Sequence, residues 1–570
     1  MDSRSPFQTL PMLIVYKVVE YLEGYPRRLH GSPTDKYLKK GATLAPLLLV
    51  SERWCTAALA SICSICTLSF SRSREAIEVR FPGWPSSIPH SQFRKTHLAK
   101  KVIVSADVWQ DLCDGSFCEV IALPQYETLS FPSVRFIELR LSKSAKDDTV
   151  TYYSPSALTP VPEIIREQVA SVARSLMRLV PAAVDVDMTV CTISDVEPNF
   201  KQLYEWLAME LCRGRTSSLS IYYWQDGHTL QLTLSDISGL TSITQGLNVP
   251  NTTLTMLAYR NASTLKTLKI NISVEEDWLD LIFGDANVLA VYADLVSLTL
   301  EISEESYSVL WTTIDNVEPF PALARLDVHG GYPFDDDMLF RGNGNTLQSL
   351  RLPFGVVADN VLGRFDVLRR SGVTRMNLVH IGKIAEIDDV FVAANAGLPI
   401  EKQMHRILEV TSSLVLLNDT TDLHLYHSLL SAPNTAILQH LEFCNLVFNV
   451  TNIFQVVSAL PSLSSFKCRI NCHAPEIVLI PVSERPSTLY DKFHPLSHNF
   501  RTLVALDNES DSAKGLAHVA MLLAIVCPSL RTVEVPPIAR NEFSREIAWS
   551  MLNATYKPYT DRLNGLIYWD

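Results

Sequence analysis

Apolar residues recur at helical spacing near the start of the chain. Ile14, Val15, Val18, Val19 and Leu22 follow Pro11, which suits a first helical turn, and Gly24 and Pro26 close the run. A second helical run, Leu44 to Ala60, follows a polar insert (YPRRLHGSPTDKYLKKG) that belongs in solvent. Trp54 to Ser71 then runs eighteen residues without a charge, long enough for a membrane span. Six of the eighteen are Ser or Thr and no aromatic or basic belt follows, so a core helix running into a buried strand is expected, with no membrane contact.

Residues 142–162 (SKSAKDDTVTYYSPSALTPVP) have no sustained period and read as an exposed loop. From Glu163 to Val180 one helical stripe carries Ile165, Val169, Val172, Leu176 and Leu179. Val184, Val186, Met188 and Val190 then alternate as a strand. A helical run from Phe200 to Leu211 and the strand SLSIYY follow, so helix and strand alternate.

The alternation continues as a phrase: apolar, two others, apolar, one other, apolar. It occurs in STLKTLKI (Leu265, Leu268, Ile270), ADLVSLTL (Leu295, Leu298, Leu300), PALARLDV (Leu323, Leu326, Val328), NTLQSLRL (Leu347, Leu350, Leu352) and GVTRMNL (Val373, Met376, Leu378). It returns in AILQHLEF (Leu438, Leu441, Phe443), PSLSSFKC (Leu463, Phe466, Cys468) and PSLRTVEV (Leu530, Val533, Val535). The first five starts lie 30, 28, 24 and 26 residues apart, within the range of leucine-rich repeats. Large aliphatic residues and Phe fill roughly a third of positions, so about twenty matches arise by chance. The recurrent Ser, Thr, Asn, Ala or Pro just before the first Leu does not follow from composition, and a chain turning into a short strand needs such residues.

The pattern implies an α/β array in which each unit gives a short strand to a parallel sheet, with Leu265, Leu268 and Ile270 inward and Lys266, Thr267 and Lys269 outward. Each apolar face needs its neighbours for burial. Ile547, Trp549, Met551 and Leu552 form a helical cluster that closes the array. The expected layout is a helical domain at 1–70, a connecting or capping segment at 71–141, the exposed loop at 142–162, the repeat array at 163–540 and a C-terminal cap at 541–570.

With 570 residues the chain holds two to four domains or one long array. Its net charge of -12 gives no attraction to phosphate backbones or anionic lipid, so nucleic acid is not an expected partner. Eleven scattered cysteines and a polar start without a secretory apolar core point to reduced thiols in the cytoplasm or nucleus. The sequons at Asn251, Asn261 and Asn271 then carry no glycans.

The chemistry-bearing residues lack a framework. No GxSxG, GxxxxGK[ST], HExxH or strand-linked GxGxxG occurs, and no catalytic activity is expected. Asp335, Asp336 and Asp337 precede a glycine-rich turn, where carboxylates in a first helical turn suit the helix dipole. A cation would need six or more converging oxygens. Cys63 and Cys66 form a CxxC without a second ligand pair. Cys468, Cys472, His473, His494 and His498 are closer to a metal set, but Phe466, Cys468, Ile470 and Cys472 alternate along one strand face, and Pro495 disrupts a shared helical face for the last two histidines. His424 and His427 would face opposite sides of a strand. No metal and no cofactor are expected.

The front of the chain resembles a known family. LPMLIVYKVVEYL (10–22) followed by LAPLLLVSERW (44–54) resembles the F-box, an LP-led amphipathic helix ending in YL and a second helix leading into V-x-x-R-W. Leu10, Pro11, Ile14, Val18, Tyr21 and Leu22 match the first part, and Leu47, Leu48, Val50, Arg53 and Trp54 the second. Leu13 stands where the family usually has an acidic residue, and the insert from Glu23 to Gly41 lengthens the gap. The whole arrangement is similar to a group of fungal proteins in which an F-box-like start precedes a divergent leucine-rich-repeat-like solenoid. Here the place of the repeat-laddering Asn is held by Ser273, Ser303 and Gly331, with Asn only at Asn471.

The resemblance implies a non-catalytic substrate receptor of a Skp/cullin/F-box ubiquitin ligase. Leu10, Pro11, Ile14, Val18, Tyr21, Leu22, Leu47, Leu48, Val50 and Trp54 would dock a Skp-type adaptor, and the solenoid would capture a target protein. The alternative is a leucine-rich-repeat recognition scaffold with no ubiquitin-ligase role.

Overall fold

The computed structural model describes residues 11–24, 44–71, 76–107, 116–142, 163–191, 198–223, 234–246, 252–302, 318–330, 346–352, 378–381, 411–416, 437–471, 499–506, 513–535 and 540–553, apart from gaps within several of these stretches, together with Leu339 and Leu408. The chain is α/β with mostly parallel strands and forms two compact units, Met1–Asn271 with Glu276–Ala290 and Ile272–Glu275 with Val291–Asp570.

The first unit begins with helix α1 (Met12–Gly24), a 3-10 turn (Ala45–Leu49) and helix α2 (Glu52–Ile62). The single helical run expected from Leu44 to Ala60 is therefore broken. Pro46 sits in the first positions of the 3-10 turn, and Ser51 is extended (φ -166°, ψ 170°) as the residue that starts α2. Cys55 N–H closes the first turn of α2 on Ser51 O at 2.8 Å. The uncharged stretch from Trp54 continues into strand β1 (Ile65–Ser71), a helix followed by a strand as expected. Among the described residues no helix is long and apolar enough to cross a membrane.

Strand β2 (Ala76–Arg80) is antiparallel to β1, whereas β3 (Lys101–Asp107) lies parallel on the other side of β1. Strands β4 (Phe136–Ser142), β5 (Asp185–Cys191), β6 (Ser218–Tyr223), β7 (Ser242–Gln245) and β8 (Thr267–Ile272) follow, each parallel to the one before. Returns between them include α3 (Ser116–Ile121), α4 (Glu163–Leu179), α5 (Pro198–Cys212) and α6 (Thr252–Arg260), and α7 (Glu275–Phe283) follows β8. Of the stripe on α4, Val169, Val172, Leu176 and Leu179 are buried, as their spacing predicts, while the side chain of Ile165 lies outside those described.

In the second unit β9 (Ser297–Ile302), β10 (Arg325–Gly330), β11 (Ser349–Leu352), β12 (Leu378–Ile381), β13 (Ser413–Leu416), β14 (His440–Phe448), β15 (Ser465–Ile470), β16 (Thr502–Ala505) and β17 (Thr532–Glu534) are parallel neighbours in chain order. Helices α8 (Val450–Ala459), α9 (Ala513–Val526) and α10 (Arg540–Asn553) lie after β14, after β16 and after β17. Phe543 and Ile547 of α10 are buried.

The recurring phrase is what these strands bury. Leu265, Leu268 and Ile270 are fully buried, as are Leu295, Leu298 and Leu300, while Lys266 and Thr267 are exposed and Lys269 is half-exposed. Neighbours are clasped by a repeated backbone device in which one carbonyl accepts two successive N–H groups from the next strand's start. Thr241 O accepts from Lys266 and Thr267, Ala324 O from Gln348 and Ser349, Gln439 O from Ser464 and Ser465, and Arg501 O from Arg531 and Thr532. The residue before the first Leu adds a side-chain link: the Thr264 hydroxyl donates to Leu240 O at 2.7 Å and the Thr346 hydroxyl to Leu323 O at 2.9 Å. These bonds explain the Thr at those two places, since a short polar side chain reaches the previous turn's carbonyl.

One register is corrected. In GVTRMNL the spacing predicts Val373, Met376 and Leu378, but Leu350 pairs with Val379 and Leu352 with Ile381. The pairing therefore sets the unit three residues later, with Leu378 beside Ser349. Two overlapping apolar triplets fit the same letters, and only strand pairing separates them.

Candidate functional site

The front helices place the predicted docking residues in three environments. Val15 and Val19, one turn apart on α1, are buried, and α1 packs on α2. The other side of α1 leaves apolar residues in water: Leu13 is 71% exposed, Ile14 44% and Tyr16 42%, with Pro11 also exposed. The 3-10 turn adds Leu49 at 90% and Val50 at 42%. Val18, Leu47 and Leu48 are half-buried. Trp54 is buried on α2 beside Ala57 and Ala58 in sequence, the place of a core anchor. Tyr21 and Leu22 belong to the last turns of α1, and Leu10 lies outside the described residues. Sequence reasoning missed Leu13, Tyr16 and Leu49. Leu49 follows Leu47 and Leu48 in one apolar run, and only the 3-10 geometry turns it outward.

The strand face opposite the Leu-rich core carries mostly polar side chains in register. In the first unit one row runs Lys101, Phe136, Asp185, Ser218, Ser242, Thr267, and the next runs Ile103, Glu138, Asp187, Ser220, Thr244, Lys269. Glu138 is buried and paired with both Lys101 and Arg140. Burial pulls its carboxyl upward, but the hydrogen bonds and charges of Lys101 and Arg140 outweigh that and hold it below the usual glutamate value. One carboxylate oxygen of Asp187 is buried with no hydrogen-bond partner among the described residues. Burial first, then the negative charge of Glu138, push its carboxyl up to about 7, against the opposing pull of Lys101 and Arg140. Lys101 Nζ also lies 4.4 Å from the centre of the Phe136 ring. In the second unit Arg325 pairs with Asp327 at 2.7 Å and Lys467 with Glu442 at 2.6 Å.

The cysteines are placed as packing groups. Cys63 and Cys66 are both buried; burial, then the neighbouring Cys63, push the Cys66 thiol well up. Burial likewise raises Cys468 and brings Cys212 and Cys527 to about 12. Thiols held protonated are poor nucleophiles and poor metal ligands. Among the described residues no group of three or more His, Cys, Asp or Glu could hold a metal ion. Asp335, Asp336, Asp337, His424, His427, Cys472, His473, His494 and His498 lie outside the described residues. Asn261, within a sequon, is buried. It donates to Leu257 O and Ile237 O and accepts from Leu240 N–H.

No protein-family model matches the chain, and no curated protein matches it.

Proposed function

We propose that the chain is a non-catalytic substrate receptor of a Skp/cullin/F-box ubiquitin ligase. On this reading α1, the 3-10 turn and α2 form an F-box-like module that docks a Skp-type adaptor. The strands form a leucine-rich-repeat-like solenoid whose polar face captures a target protein. The observation that carries the reading is an exposed apolar set on the front helices, Ile14 and Val50 at matched positions of the F-box resemblance with Leu13, Tyr16 and Leu49 beside them, since such groups left in water favour a partner surface. The chain would act by positioning, raising the target's effective concentration beside the transfer machinery.

The test is the pair Ile14→Asp and Leu49→Asp. Both side chains are exposed, so the fold is expected to survive, while co-purification with a Skp-type adaptor is expected to fall at least tenfold and the cellular target to accumulate. Adaptor capture equal to that of the wild type, or no capture by the wild type, would leave the scaffold without a ligase role as the reading. Deleting residues 1–70 is a poorer test, because it removes most of β1, which pairs with both β2 and β3.

A further inference from the structure

Strand β1 has β2 on one side and β3 on the other, and β3 goes on to pair with β4, so among the described residues β2 is an outer strand. An outer strand turns every second N–H and C=O away from its neighbour, where another chain's strand can pair with them. At Ile77 a single side chain meets both groups. Ile77 N–H donates to the Tyr126 hydroxyl at 3.0 Å, and that hydroxyl donates to Ile77 O at 3.5 Å. A phenol is both donor and acceptor, so one oxygen stands in for the two bonds a neighbouring strand would make.

Tyr126 is firmly held. It ends a 3-10 turn begun by Pro124, its N–H donates to Leu123 O at 2.9 Å, and Leu129 N–H donates to its carbonyl at 3.0 Å. Upstream, the last carbonyl of α3, Ile121 O, accepts from Arg178 of α4 at 3.1 Å. Downstream, Phe131 N–H donates to Leu179 O at 2.7 Å. The segment 116–131 is thus fastened to α4 on both sides of the tyrosine.

The strand beneath is self-complementary. Glu78 and Arg80 pair with each other within the strand, and pairing two copies of β2 antiparallel about Val79 would also set Glu78 of each opposite Arg80 of the other, opposite charges across the joint, and would require the outward groups of Ile77. We propose that segment 116–131 is a strap whose Tyr126 closes the outer side of β2 against strand pairing with a second copy of this chain.

The experiment is Tyr126→Phe, which keeps the ring and removes the hydroxyl. Hydrogen exchange at the Ile77 amide is expected to speed up about fivefold, the worth of one ordinary hydrogen bond. Light scattering over a concentration series is expected to show added dimer relative to the wild type. Adding Glu78→Arg sets Arg against Arg and is expected to abolish that dimer; adding Arg80→Glu as well reverses both charges and restores it. Unchanged exchange at Ile77, faster exchange with no change in mass, or a dimer indifferent to the charge reversal would each overturn the proposal. If Tyr126→Phe lowers the melting midpoint, the comparison is made well below it, where the charge-reversal series still decides.

Discussion

Replacing Asp187 by Asn is expected to stabilise the protein at pH 8 and to do little at pH 4. Asp187 stands in register between Glu138 and Ser220, and one of its carboxylate oxygens is buried without a hydrogen-bond partner among the described residues. In the folded chain burial and the Glu138 charge raise its carboxyl from 3.8 to about 7. Folding therefore favours the protonated acid. The stability this provides is complete below the ordinary value near 3.8 and is lost as pH rises through about 7, above which both states carry the charge. The full step would correspond to about 4 kcal/mol at roughly 1.36 kcal/mol per pH decade. The side chain is only partly buried, and water screening reduces the figure to about 1–2 kcal/mol. Asn cannot ionise, so the difference between Asp187→Asn and the wild type should grow from near zero at pH 4 to about 1–2 kcal/mol at pH 8. Because other groups titrate too, the quantity to follow is that difference, from denaturant midpoints or from exchange of the β5 amides. A variant no more stable than the wild type at pH 8, or a gain equal at both pH values, would refute the reasoning.

Two further substitutions test the packing between units of the array. Thr264→Val keeps shape and removes the hydroxyl bonded to Leu240 O; it should cost about 1 kcal/mol and speed exchange of the Lys266 amide, which donates to Thr241 O at 2.7 Å. An unchanged melting midpoint would show the link to be idle. Gly284→Ala should cost about 1–3 kcal/mol, because Gly284 has φ +58° and an added Cβ would run into the Tyr259 ring. The same change should free the Tyr259 hydroxyl from Val288 O, now 3.0 Å away, and a midpoint equal to that of the wild type would contradict the expectation.

Burial and alternation were the legible part of the letters. The triad Leu265, Leu268, Ile270 and the stripe on α4 are buried as their spacing predicts, because periodicity reports directly which face leaves water. Units whose first or third position is small or polar stayed hidden: Thr411 with Leu414, Leu240 with Ile243 and Gln245, and Phe500 with Leu503 and Ala505 occupy the same buried places. There Gln245 keeps a core position because its side-chain oxygen accepts from Asn271 N–H at 3.3 Å, a pairing no local pattern announces. Residues 71–141, expected to connect or cap, contribute β2 and β3 and most of β4. The exposed front residues were partly legible too: Ile14 and Val50 lay in the matched pattern, whereas Leu13 and Leu49 are outward because of a helix face and a 3-10 turn that apolar content alone does not orient. The Asp187 and Glu138 contrast arises from cross-strand neighbours roughly fifty residues apart and has no local signature.

The double clasps at the strand starts also govern tolerance to change. Because each carbonyl grips the following strand by two amides, a stretch added to or cut from the return path leaves the grip where it was, so arcs can differ in size while the ribs keep step. Such a chain can acquire new surface loops one at a time, each a local experiment in recognition, without renegotiating the alignment of the ribs on either side.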